Sequence, residues 1–186
     1  LGMASTASEG YMVDFAKRMG GIAPIAGLTM DQVVALGATL DSLGQTSEVS
    51  STALSKIFVK LGEDTQKYAA LAGKSVEEFR ATMEQNALEG LIQVLDGTKK
   101  TKGGMVALAE TLGEVGVDSA RAAGVFGVLS NNTERLREQM RIANQAFQEG
   151  ASITNEFDQK NTNLAATLEK LRHEIYRTFV TVGLKD

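Results

Sequence analysis

Few side chains in this sequence could do chemistry, and their neighbours limit what each could do. His173 is the only histidine. Metal binding or acid–base work needs several groups converging on one point. The residues one helical turn away are Glu169 and Arg177, one carboxylate and one cation, which is not a ligand set. His173 therefore reads as a solvated surface residue. Glu77 and Glu78 form a carboxylate pair, and paired carboxylates are the groups that cleave glycosidic bonds. They also follow Ser75 at the opening of a helix, where negative charge is favoured by the backbone dipole, and that reading is preferred. Lys99, Lys100 and Lys102 make the only basic run. Nucleic-acid binders need clustered positive charge, whereas the net charge is −4 and the isoelectric point about 5.2; the run reads as solvated loop. Gly103-Gly104 lacks the Lys-Ser/Thr that grips a nucleotide and reads as a hinge. No Gly-x-Ser-x-Gly nucleophile elbow occurs.

The absence of cysteine excludes disulfides and thiolate chemistry and leaves the redox compartment unread. The seven methionines, Met3, Met12, Met19, Met30, Met83, Met105 and Met140, fall mainly on apolar stripes, where they fill core gaps. No catalytic, cofactor-binding or metal-ligating residue is assigned, and the chain is not read as an enzyme.

The elements that carry these residues are helical. A chain of 186 residues can bury a real core. Its single proline, Pro24, permits long helices almost everywhere, and its 19 glycines fall mostly at element ends. Apolar spacing predicts a helix over Ser5–Met19 with Tyr11, Phe15, Met19 and Ile22 on one face, stopped by Gly20-Gly21. The stretch Leu28–Leu61 reads as a helical hairpin. Thr29 and Gln32 form a capping box at its start, Gly44 takes the left-handed turn, and Ser47 restarts the chain. Val33, Leu36, Leu40 and Leu43 make one stripe; Leu54, Ile57, Phe58 and Leu61 make the other. Gly37, Ala38 and Ala53 are small enough to let the two helix axes approach.

A short helix over Asp64–Ala72 ends at Gly73. Ser75 with Glu78 opens the next helix, and Asn86 caps another that ends at Asp96-Gly97. Gly97–Gly104 is expected to be a loop. Met105–Val115 and a helix capped by Asp118 and running through Leu129 follow, closed by Asn131-Asn132. After that, Leu136, Met140, Ala143 and Phe147 step as one helical stripe. From Ser152 to Val182 a straight helix would span about 45 Å, with Leu164, Leu168, Leu171 and Ile175 in near-heptad spacing. The expected fold is all-α: a compact multi-helix bundle of short helices over 1–130, followed by one or two long C-terminal helices over 131–186. Sequence leaves two readings of that last part open, the root of an extended rod or a long helix folded back on the bundle. No apolar run reaches the roughly 20 residues that span a bilayer.

The segment LGATLDSLGQTSEVSSTALSKIF resembles the core of the tail tape-measure (minor tail) proteins of long-tailed bacteriophages. The carrying positions are Gly37, Ala38, Leu40, Leu43, Gly44, Glu48, Val49, Thr52, Ala53, Leu54 and Phe58, in order and without gaps. The resemblance is densest over Phe15–Phe79, looser through Leu129, and compositional beyond. It implies a structural role in the virion tail: a helical rope around which tube subunits polymerise and whose length sets tail length. Implied partners are tail-tube and tail-tip proteins and tail assembly chaperones. Synthesis would take place in the bacterial host cytoplasm, from an active phage or a prophage. The family's domain would begin upstream of Leu1, leaving the stripe of Tyr11, Phe15 and Met19 partly exposed and inviting self-association. No nucleic-acid contact and no membrane segment are expected. Two other function classes fit the same elements less specifically: a helical protein-binding adaptor that uses the faces of 28–130, and a cell-wall lytic domain that would need one essential glutamate.

Overall fold

The computed structural model describes residues 8–100, 102–103, 106–107, 110, 119–148, 169–171 and 173. These form helices α1 (Glu9–Met19), α2 (Met30–Ser42), α3 (Ser47–Glu63), α4 (Thr65–Ala72), α5 (Val76–Gln85), α6 (Ala87–Lys100), α7 (Ser119–Ser130) and α8 (Thr133–Gln148). No strand occurs among the described residues.

Local side-chain chemistry sets the helix starts. An N-terminal turn has backbone N–H groups without partners, and a short oxygen-bearing side chain just ahead can accept one. Ser8 accepts from the Tyr11 N–H at 3.2 Å. Asp64 accepts from Lys67 at 3.3 Å and Asn86 from Glu89 at 2.9 Å. Ser75 and Glu78 complete a reciprocal box, each side chain taking the other's backbone N–H at 3.2 Å. In α3 the cap is Thr46, which accepts from Val49, one residue earlier than the expected restart at Ser47. Ser47 is used elsewhere: its hydroxyl donates to Asp14 on α1. The ends of α2 and α4 share one motif. Gly44 (φ +74°) and Gly73 (φ +66°) are left-handed. Behind them, Gln45 N–H reaches the Leu40 carbonyl at 3.0 Å, and Lys74 N–H reaches that of Ala69 at 2.9 Å.

Packing departs from the expected hairpin. α2 and α3 touch each other little, because α1 lies across both. A Cβ on Gly37 would stand 2.9 Å from Phe15 Cδ1 and 3.2 Å from Met12 Sδ, so this glycine receives α1 and not α3. Phe15 and Met19 are fully buried, and Tyr11 is half-buried and stacked on Phe15 at 6.0 Å between ring centroids. Phe15 and Met19 of the stripe expected to lie partly open are therefore covered by the chain's own helices, whereas Tyr11 is covered only in part.

α4, α5 and α6 pack on one another, α7 bridges α3 and α6, and α8 lies along α2. Nine consecutive residues of α2, Gln32–Leu40, are buried, so this helix is enclosed on every side. One continuous core runs from Met12 to Leu171.

One expectation is corrected here. The loop expected over Gly97–Gly104 is helix as far as Lys100. A Cβ on Gly97 would meet the Leu71 carbonyl oxygen at 2.0 Å, so that glycine serves a close helix crossing instead of a helix end. Residues 133–148 form a helix of 16 residues that packs along α2, as the stripe from Leu136 to Phe147 leads one to expect. Leu136 and Ala143 of its expected stripe are buried in the common core, and Met140 and Phe147 pack on its edge. The long helix expected over Ser152–Val182 lies outside the described residues apart from 169–171 and 173, which are helical, with Leu171 buried. Residues 5–7 of the expected first helix, the Asp118 cap and most of Met105–Val115 also lie outside them.

Candidate functional site

The residues singled out for chemistry do not converge. His173 and Glu169 are both exposed, and Arg177 lies outside the described residues. Glu77 and Glu78 are exposed in the first turn of α5, where Glu78 is occupied by the cap of Ser75. Lys99 and Lys100 end α6, and Lys102 follows; all three are exposed. Met12 and Met19 are in the core, while Met30, Met83 and Met140 pack on its edge. Among the described residues no group of three or more histidine, cysteine, aspartate or glutamate side chains could hold a metal ion, and no helix is long and apolar enough to cross a membrane.

The built polar arrangements instead join helices. Arg137 reaches from α8 to α6, where one guanidinium nitrogen meets Glu89 at 2.8 Å and the other meets Asp96 at 2.9 Å. Glu89 and Asp96 are seven residues apart, two turns on one face of α6. Burial works against the guanidinium charge, but the two acceptors outweigh it and hold its pKa above the ordinary arginine value. Arginine's planar fork suits such a two-carboxylate clamp. A second node joins the starts of α2 and α6. Gln32 Oε1 accepts from the Thr29 N–H at 3.1 Å, and its amide nitrogen donates at 2.9 Å to the same Asn86 oxygen that caps α6.

The third arrangement is the seam between α1 and α3. The Tyr11 hydroxyl donates to Ser50 at 3.3 Å, and Asp14 takes both Ser47 and Arg18. Burial pushes the Tyr11 phenol up to about 12. The Ser47 hydroxyl and then Arg18 hold the Asp14 carboxyl below its ordinary value. Each of these sets ties one helix to another: α8 to α6, α2 to α6, and α1 to α3.

Sequence reasoning missed Arg137, Asp14 and the Gln32–Asn86 link. The caps at Asn86 and Ser75 are visible because both partners lie within three residues. Arg137 finds partners 41 and 48 residues away, a pairing that no local spacing marks. No protein-family model, no curated protein and no solved structure matches the chain.

Proposed function

We propose that this chain is a folded helical domain of a bacteriophage tail tape-measure protein, with a structural and not a catalytic role in the virion tail. The observation that carries the reading is the ordered block of Gly37, Ala38, Leu40, Leu43, Gly44, Glu48, Val49, Thr52, Ala53, Leu54 and Phe58. Its physical placement supports it. Gly37 seats Phe15, Gly44 makes the left-handed turn, and Leu40, Ala53, Leu54 and Phe58 are buried in the core. The block thus combines a close helix approach, a helix-ending turn and buried apolar positions within one run of sequence. On this reading the domain anchors or caps the rope, and measurement of length belongs to extended helix elsewhere, where residue count becomes distance at 1.5 Å per residue. Its partners would be tail-tube and tail-tip proteins and the tail assembly chaperones, met first in the host cytoplasm.

The test begins with mass spectrometry of purified tails for peptides of this sequence. An in-frame deletion in the long helical region of the parent protein then follows. Tails that contain the protein and shorten in proportion to the deletion are expected. A parent absent from tails, or tails of unchanged length, would overturn the reading in favour of a helical adaptor.

A further inference from the structure

α5 rests on one fully buried side chain, Phe79. Val76 and Met83, three residues before it and four after, complete the same stripe and pack on the edge of the core. The helices it packs against are α4 and α6. Its start is fastened as well by the reciprocal cap of Ser75 and Glu78. Its last turn has no such cap, and Met83 is the one apolar side chain there.

The seat of Met83 is Gly90 of α6. A Cβ on Gly90 would stand 2.2 Å from Met83 Sδ and 3.1 Å from its Cγ, so the thioether fills the space that a side chain at 90 would need. Gly90 has no donor to offer in return, because its N–H is committed to the Asn86 carbonyl at 3.1 Å. An oxygen added to the sulfur needs hydrogen bonds, and holding it against Gly90 without one is unfavourable. Met83 is only half-buried, so water is the partner within reach, and the side chain must leave its seat to use it. The other described methionines differ. Met12 and Met19 are 1% and 0% exposed. Met30 and Met140 are partly buried like Met83, but their helices bury nine and five residues where α5 buries one.

We propose that Met83 is an oxidation site and α5 a redox-sensitive latch: a peroxide converts the thioether to a sulfoxide, and α5 comes off α6 while the rest of the core stays folded. In that step the sulfur lone pair takes one oxygen of hydrogen peroxide. The S–O bond forms as the O–O bond breaks, and the other oxygen leaves as water with both hydrogens; sulfur is oxidised and peroxide reduced. A sulfoxide reductase reverses the change with two thiols, which give back the thioether, a disulfide and water. The chain has no cysteine, so methionine is the side chain through which such a reversible signal enters it. Segments held by few apolar contacts open as local units.

The test times tryptic cleavage after Arg80, which is exposed in the middle of α5 and is cut when the helix opens. The full chain is compared before and after mild hydrogen peroxide, with oxidation at each methionine read by peptide mass spectrometry. Met83 is expected to oxidise well before Met12 and Met19. Cleavage after Arg80 should then quicken at least about threefold, while cleavage after Lys56 in α3 keeps its rate. Met83→Leu preserves the apolar contact and should abolish the response; Met83→Gln, a polar stand-in for the sulfoxide, should be cut fast without peroxide. Oxidation of Met83 no faster than that of Met12 and Met19 would overturn the proposal. So would unchanged cleavage after Arg80 once Met83 carries the oxygen, or a Met83→Leu protein that responds as strongly, which would place the sensitivity at Met30 or Met140. Should a variant fail to fold, the unaltered protein decides alone. In a partly oxidised sample the sulfoxide should be enriched among chains already cut after Arg80, and equal proportions in cut and intact chains would refute the latch.

Discussion

Replacing Gly97 by alanine sets two effects of known sign against each other. Alanine favours a helix interior over glycine by about 1 kcal/mol. Were residue 97 in a loop, or on an open helix face, the substitution would be neutral or stabilising. In the structure the new Cβ would stand 2.0 Å from the Leu71 carbonyl oxygen and 2.9 Å from both Leu71 C and Ala72 Cα. All three are backbone atoms, which cannot swing aside. Going from 2.0 Å to the 3.4 Å at which ordinary contact begins requires an outward shift of about 1.4 Å between α4 and α6. That shift strains a crossing beside the buried side chains Tyr68, Val94 and Leu95. Overpacking of a tight core costs about 1–3 kcal/mol, and backbone on both sides puts this case near the top. Net of the helix gain, Gly97→Ala should destabilise by about 2 kcal/mol. For a chain of this size that lowers Tm by roughly 4–8 °C and the urea midpoint by about 1 M with the slope unchanged. Urea unfolding followed by circular dichroism at 222 nm measures it. A Gly62→Ala control, in the last turn of α3 with nothing within 4 Å of the added atom, should stabilise by about 0.5 kcal/mol. A Gly97→Ala protein as stable as its parent would refute the α4–α6 crossing and restore the loop expected there.

Three further outcomes are expected. Asn86→Ala removes the α6 cap and leaves the largely buried Gln32 amide without its acceptor, costing about 2 kcal/mol; a double-mutant cycle with Gln32→Ala should show coupling of at least about 0.5 kcal/mol. Arg137→Gln should cost about 1 kcal/mol, discounted because its partners are partly solvated, and the loss should shrink in high salt. Tyr11 ionises at about 12 in the folded protein against 10.0 ordinarily. Its contribution is therefore intact below pH 10 and fades as pH rises towards 12; Tyr11→Phe should flatten that alkaline limb by about 1 kcal/mol once solvent screening of the half-exposed ring is allowed for.

What was legible in the sequence was what closes within one or two turns. Caps at Ser75 and Asn86, the turn at Gly44, and the stripes of Leu36–Leu40 and Leu54–Leu61 all depend on residues three or four apart, and the structure has them. Partner choice was not legible. Gly97 and Gly37 look alike as sequence, but one receives the end of α4 and the other receives Phe15. A glycine that ends a helix and one that admits a neighbour carry no different local signal. The all-α class followed from period alone, whereas the placement of α1 between α2 and α3 depends on which apolar stripes fit one another. The polar ties at Arg137 and Gln32 were hidden for the same reason, since their partners lie on other helices.

The link between Asn144 and Asp31 spans 113 residues, and that separation has a meaning in time. At about 5–20 residues per second, a ribosome finishes α2 roughly 6–20 s before it makes the helix that closes over it. During that interval α3 to α7 are synthesised in turn, and the side of α2 that α8 covers is the last to receive its partner. A chain diluted from denaturant has α8 present from the start, so its order of assembly differs from that of the chain emerging from a ribosome.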